Sequence, residues 1–176
     1  MWKDYLKKGR RARTILILLC LVLVIFIGYE VLTYPDVAVL AKQNPKSTAW
    51  MEMRDREAPA GGRKPRRHQI WKPIQSISAN LKNAVLIAED AAFFQHEGLD
   101  YGEIREAIKI NAEKMEFARG ASTITQQLAK NLYLSPSRNP ARKLKEIFLT
   151  FSLERHLTKR RIFEIYLNVI EWGDGA

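Results

Sequence analysis

The chain has 176 residues, 47% hydrophobic and 27% charged, a balance that permits one modest core and excludes both a large multidomain enzyme and a disordered tail. A single cysteine, Cys20, rules out an internal disulfide or a cysteine-based zinc site as the framework of the fold. The formal net charge of +10 calls for an anionic partner, a demand that nucleic acid, acidic lipid and pyrophosphate all satisfy.

Residues 1–13 hold Lys3, Lys7, Lys8, Arg10, Arg11 and Arg13 against Asp4 alone, so half of the net charge lies in this arm. From Thr14 to Tyr29 no residue is charged, and the apolar run continues past Glu30 to Tyr34, where Pro35 breaks it. Residues 14–34 match the roughly 20 residues a transmembrane helix needs, with Glu30 near enough to one end to reach the interface. By the positive-inside rule the arm stays in the cytoplasm and everything after Tyr34 lies on the outer face. A cleaved signal peptide is the competing reading; the lack of a clear Ala-x-Ala site after the run favours an uncleaved anchor.

Residues 35–70 are broken by Pro35, Pro45, Pro59, Gly61, Gly62 and Pro65 and read as a linker and membrane-proximal segment. The basic run Arg63, Lys64, Arg66 and Arg67 suits anionic head groups, or equally a solvated loop. From Trp71 onward apolar residues recur at helical spacing: Leu81–Ala84–Val85–Ala88–Ala92, Ile104–Ala107–Ile108, Leu144–Ile147–Phe148–Phe151 and Ile162–Ile165–Tyr166–Val169. Sustained two-residue alternation is missing, so residues 71–176 are expected to be all-α. The chain stops on Trp172–Gly173–Asp174–Gly175–Ala176, a turn-like run that suggests a truncated domain.

Four constellations can carry chemistry. In the first, Glu89 and Asp90 close an apolar helical stretch, with Phe93 one turn beyond Glu89 and His96 and Gly98 following. A carboxylate partly withdrawn from water by aromatic surface holds a proton more readily and serves as a base near neutral pH. An exposed acidic turn at a helix end fits the same residues. In the second, Thr123 and Gln126 form a capping box, so a helix starts there. Thr123, Gln126, Gln127 and Lys130 then share one face, opposite the apolar row Ile124, Leu128 and Leu132. Such a stripe, led by Gly120 and a helix N-terminus with free N–H donors, suits sugar hydroxyls and phosphate; an ordinary amphipathic helix is the bland alternative.

The third constellation has Asn139 and Pro140 as N-cap and first helical position, with Arg142 and Glu146 one turn apart. These two form at least an i,i+4 ion pair. Arg138, Arg142 and Lys143 also supply charge for pyrophosphate, with Glu146 orienting them or binding a divalent metal. The fourth, Lys159 to Asn168 behind a Thr158 cap, reads by itself as core.

In order and spacing the four are specific. Residues 89–98 fit Glu-Asp-x-x-Phe-x-x-His-x-Gly, and 120–131 fit Gly-x-Ser-Thr-Ile-x-Gln-Gln-x-x-Lys-Asn. Residues 142–146 fit Arg-Lys-x-x-Glu, and 159–168 fit Lys-x-x-Ile-x-Glu-x-Tyr-Leu-Asn. From about Trp71 to Ala176 the chain resembles the peptidoglycan glycosyltransferase family, the transglycosylase module of class A penicillin-binding proteins and of monofunctional enzymes, and looks closest to the monofunctional biosynthetic branch.

The resemblance implies a lysozyme-like, all-α glycosyltransferase domain behind one transmembrane helix, with a fifth motif and further helices beyond the point where this chain ends. It implies polymerisation of lipid II into β-1,4-linked glycan strands for cell-wall synthesis, with release of undecaprenyl pyrophosphate. Glu89 would be the general base and Glu146 the second essential glutamate, through a metal or by positioning basic groups. Lys130, Arg138 and Arg142 would hold pyrophosphate, while Ser122, Gln126, Gln127 and Asn131 contact donor sugar and phosphate. Asp90, Phe93 and His96 would shape the cleft, and Lys159, Glu164, Tyr166 and Asn168 would mainly hold the core. A divalent cation, Mg or Mn, is a candidate cofactor. The expected partners are lipid II, the growing glycan chain, the bilayer, and cell-wall synthases or division proteins. The expected location is the bacterial inner membrane, single-pass, with the catalytic domain on the periplasmic side.

A pyrophosphate leaving group needs cations more than a proton donor, which agrees with one base and several Lys/Arg. Leu99–Arg119, with Tyr101, Ile104, Ile108, Met115 and Phe117, reads either as a mobile jaw dipping into lipid or as helix core. Two rival functions are a lysozyme-like peptidoglycan hydrolase and an inactive membrane-anchored binding module. Nucleic acid is disfavoured, because the basic arm lies across a membrane from the domain.

Overall fold

The computed structural model describes residues 2–57, 69–116, 120–136 and 139–172. The chain divides into two compact units, Met1–Asp36 and Val37–Ala176, and no strand occurs among the described residues, as the all-α expectation required.

The first unit is one long helix, α1 (Trp2–Leu32). The backbone of the basic arm is part of it, because Lys, Arg and Leu are good helix formers and no proline interrupts them. The segment starting at Leu16 is long and apolar enough to cross a membrane. Leu16, Leu19, Val22, Ile25 and Leu32 are all exposed. Apolar side chains outward on every side suit hydrocarbon, whereas a helix against a protein core carries a single apolar stripe. The helix closes where Thr33 donates its N–H and its Oγ1 to Tyr29 O, at 2.9 and 2.8 Å.

The second unit opens with a 3₁₀ turn, Val37–Ala41, and α2 (Ala49–Glu57); a 3₁₀ turn at Ile74–Ser76 precedes α3 (Ala79–Glu89). Four helices follow: α4 (Tyr101–Lys114), α5 (Ile124–Tyr133), α6 (Pro140–His156) and α7 (Lys159–Val169). α5 is the central element. It buries Ile124, Leu128, Ala129 and Leu132 and packs against α2, α6 and α7. Leu149 and Leu153 of α6 and Ile162, Phe163, Ile165, Tyr166 and Val169 of α7 complete the core around it. The Ile162–Val169 row is therefore core, as its spacing implied.

Two expectations need correction. Much of the supposed linker belongs to the domain: Val37 and Leu40 are core residues, and Thr48 Oγ1 accepts the Met51 N–H at 3.0 Å to start α2. Arg161 of α7 ties this segment down, donating Nε to Leu40 O at 2.9 Å and a terminal nitrogen to Gln43 O at 2.9 Å. Asn168 does the same for the strap before α3, accepting from Lys72 N at 2.7 Å and donating to Lys72 O at 2.9 Å. Prolines shortened the helices here without preventing packing. The basic run Arg63–Arg67 lies outside the described residues.

The second correction concerns which helix faces are inside. In α3 only Val85 is buried, with Leu81 and Ile87 exposed. α6 turns Leu144, Phe148 and Phe151 outward and buries Glu146, Leu149, Thr150 and Leu153. That inward row has the right helical spacing, but its two polar members hide it from a count of apolar residues. α4 buries only Ala107, leaving Tyr101, Ile108 and Met115 exposed, which weighs against helix core as the reading of that segment. Phe117 is outside the described residues.

Candidate active site

The two neighbouring carboxylates diverge at the end of α3. Glu89 is its last residue and is exposed. Asp90 leaves the helix with an extended backbone (φ −167°) and turns inward to 9% exposure. Its Oδ2 accepts the backbone N–H of Ile124 at 3.0 Å, and His96 Nε2 sits 3.0 Å from Oδ1 and 3.1 Å from Oδ2. Because Gly98 N donates to His96 Nδ1 at 3.1 Å, the neutral ring carries its proton on Nε2 and donates it to Asp90. Phe93, fully buried, lies under this pair with its ring 6.3 Å from that of His96 and 5.7 Å from that of Phe163. The withdrawal from water expected of Glu89 has fallen on Asp90 instead.

The loop that presents these groups is pinned by Gly98. Its φ is +96°, and a Cβ there would lie 2.7 Å from Thr150 Cγ2 and 3.0 Å from Glu154 Cγ. Its carbonyl accepts Thr123 Oγ1 at 2.7 Å, fastening the loop to the start of α5.

At α5 the capping box is present: Gln126 N donates to Thr123 Oγ1 at 3.2 Å and Thr123 N to Gln126 Oε1 at 3.0 Å. The expected free N–H donors for a substrate phosphate are thus partly spent, on Asp90 and on the cap itself. The predicted polar stripe divides accordingly. Thr123 and Gln126 are buried in the cap; Asn131 is buried too, its Oδ1 without a hydrogen-bond partner. Those side chains do not line an open surface. Ser122 is exposed, while Gln127 and Lys130 are half-buried at the rim.

Gln127 links two elements. Its Nε2 donates to Glu89 Oε2 at 2.8 Å, and its Oε1 accepts the hydroxyl of Tyr166 at 3.0 Å. Burial, then the nearby Glu89 and Asp90 carboxylates, push the Tyr166 phenol far above its usual ionisation range, so it stays a donor. Tyr166 does more than fill the core. The signal was available in the sequence, since a tyrosine in an otherwise apolar buried row needs a partner for its hydroxyl.

Cations line the neighbouring helices. Lys130 Nζ stands 5.3 Å from the centroid of the Trp50 ring. On α6, Asn139 Oδ1 accepts Ala141 N at 2.9 Å as the expected cap. Arg142 then pairs with Glu146 Oε2 at 2.9 Å, and Lys143 with Glu146 Oε1. Glu146 is 3% exposed, and its two oxygens each face a cation, so the arrangement suits positioning of Arg142 and Lys143 and fits a metal-ligand role poorly. Arg138 lies outside the described residues. Lys159 is held by Glu154 at 2.7 Å and lies 4.4 Å from the centroid of Phe93, bracing the floor of the site. A donor trio of Asp90, His96 and Asp100 has metal-like spacing. Asp90 and His96 are already paired there, and Asp100 accepts the Glu103 N–H at 2.9 Å as the cap of α4.

The family model for transglycosylase matches residues 55–176, which takes in all four constellations. The chain belongs to the transglycosylase family. Among relatives, the biosynthetic peptidoglycan transglycosylase of Nitrosospira multiformis is 44% identical over 158 residues, covering 90% of this chain and 68% of the relative. That of Thiobacillus denitrificans is 42% identical over 175 residues, 99% of this chain and 71% of the relative. That of Chromobacterium violaceum reaches 54% over 110 residues, 62% of this chain and 48% of the relative. The matched family region starts inside α2, so Val37, Leu40 and Trp50 lie upstream of it although they pack into the same unit.

Proposed function

We propose that this transglycosylase acts on peptidoglycan precursors, polymerising lipid II into β-1,4-linked glycan strands. The supporting observation is the division of labour between the adjacent carboxylates. Asp90 is consumed by His96 and the Ile124 N–H, whereas Glu89 is exposed and held by Gln127, which leaves one available base. Glu89 takes the proton from the 4-hydroxyl of the acceptor GlcNAc as that oxygen bonds to the anomeric carbon of the donor. The bond from that carbon to the pyrophosphate oxygen breaks with inversion, and the electron pair leaves on undecaprenyl pyrophosphate. Lys130, Arg142 and Arg138 offset the charge that develops on the leaving group, and Glu146 keeps Arg142 in place. Ser122 and Gln127 face the donor sugar.

A hydrolase with two cooperating carboxylates is less well served, because Asp90 is locked in its pairings. The apolar helix α1 is a single-pass anchor in the bacterial inner membrane, with the second unit on the periplasmic side, where it meets a bilayer-confined substrate and other cell-wall synthases or division proteins. The exposed apolar residues of α4 support contact between that helix and lipid.

The test is fluorescent lipid II in detergent or vesicles. Long glycan chains that disappear in Glu89→Gln, with substrate binding retained, are expected. Shortening of finished glycan strands would instead establish a hydrolase.

A further inference from the structure

We propose that Tyr166 is a positioning residue for the catalytic base, acting through the side-chain amide of Gln127. The inference rests on the reading of Glu89 as that base. Three side chains from three helices form one hydrogen-bonded chain: Tyr166 Oη to Gln127 Oε1 at 3.0 Å, and Gln127 Nε2 to Glu89 Oε2 at 2.8 Å.

Its polarity is determined end to end. An ionised carboxylate only accepts, so Gln127 must present its NH₂ to Glu89 and its oxygen to α7. Tyr166 on α7 supplies the donor for that oxygen. Tyr166 is 1% exposed, its ring packs edge-on against Trp172 at 5.9 Å, and its hydroxyl stays protonated because burial and two carboxylates oppose its ionisation. Packing alone would be served as well by phenylalanine.

Glu89 itself sets which end of the amide faces it, and the hydroxyl anchors the other end, holding the amide in place. Without it the Gln127 side chain loses its anchor on α7 and is free to leave its position, which releases Glu89 from the place that a proton transfer needs. The base itself is exposed at a helix end, where nothing else in the described structure hydrogen-bonds its side chain, so this one donor carries the orientation.

The experiment compares Tyr166→Phe, Gln127→Ala, their double mutant and Glu89→Gln in the full chain by steady-state polymerisation of lipid II. Tyr166→Phe is expected to lower kcat about tenfold with KM within about twofold. In the Gln127→Ala background, Tyr166→Phe is expected to change kcat no further. Glu89→Gln inactive with Tyr166→Phe within twofold of wild type in kcat, or with effects of Tyr166→Phe and Gln127→Ala that simply multiply, overturns the positioning role alone. Turnover retained in Glu89→Gln overturns the base assignment and the inference with it. Should Tyr166→Phe lower the melting temperature enough to obscure kcat, Gln127→Met removes both links from the half-buried middle of the chain. It is expected to show the same loss in kcat, and unchanged kcat in that variant overturns the proposal.

Discussion

Asp90 Oδ2 accepts the backbone N–H of Ile124 at 3.0 Å, so a carboxylate following α3 caps the first turn of α5. The helix N-terminus that looked ready for a substrate anion has bound one from its own chain, and the helix dipole favours that arrangement. Replacing Asp90 by Ala should cost about 2–3 kcal/mol of stability, because a buried N–H and the His96 ring both lose an acceptor. Asn should cost roughly half as much, since it keeps one acceptor. Urea unfolding monitored by circular dichroism measures the difference; an Ala variant as stable as wild type would show that water replaces the cap.

Gly98 is predicted to be irreplaceable for two separable reasons, its positive φ and the Thr150 methyl 2.7 Å from where a Cβ would stand. Gly98→Ala is expected to destabilise by about 3 kcal/mol. Adding Thr150→Ser removes that methyl and should return part of the loss, leaving the share due to backbone strain and to Glu154. A double mutant no more stable than Gly98→Ala would place the cost in the backbone and in the Glu154 Cγ contact, 3.0 Å from the added Cβ.

For Glu146, the pairing with Arg142 and Lys143 predicts a defect in holding the leaving group. Glu146→Gln should lower kcat/KM by tenfold or more, roughly 1.4 kcal/mol at least. Titrating Mg²⁺ or Mn²⁺ should not restore it, because the lost function is alignment of cations. Restoration by metal would argue for a ligand role after all.

Trp50 lies upstream of the family-matched region yet faces Lys130, with the ammonium 5.3 Å from the ring centroid. Trp50→Leu is expected to raise KM several-fold, about 1 kcal/mol, while Trp50→Phe retains most of the wild-type value. Equal KM values in all three proteins would reduce Trp50 to packing.

The raised ionisation range of Tyr166 has a consequence for folding. Its phenol is neutral in the native state well above 10.0, its ordinary value, whereas in the unfolded chain it ionises near that value. The unfolded state then holds fewer protons, so the stability Tyr166 contributes is complete below pH 10 and falls above it at up to about 1.4 kcal/mol per pH unit. Tyr166→Phe should remove that part of the slope between pH 10 and 11.5 in denaturant titrations. An unchanged slope would mean the hydroxyl ionises equally in both states.

Local chemistry was legible in the sequence to the extent that it was written in short spacings. The apolar stretch of α1, the Thr123–Gln126 capping box, the Asn139–Pro140 start of α6 and the i,i+4 pair of Arg142 with Glu146 all depend on residues within a turn or two of one another. The order of the four constellations was enough to identify the family. Which face of α6 is buried was not legible, because Glu146 and Thr150 occupy the inward row and Phe148 the outward one. Periodicity reports that a helix has two faces, and only the packing partners decide which is inside.

The same holds for the site. That Glu89 and Asp90 are adjacent acids, that Gln127 follows a cap and that Tyr166 sits in an apolar row were determined by the sequence alone. Only the tertiary structure could separate the two acids, giving Asp90 to His96 and the head of α5 and leaving Glu89 to Gln127. Beyond the Asp90–His96 pair, six positions apart, that choice rests on hydrogen bonds between residues 34 to 39 positions apart, whose geometry exists only once α3, α5 and α7 have packed.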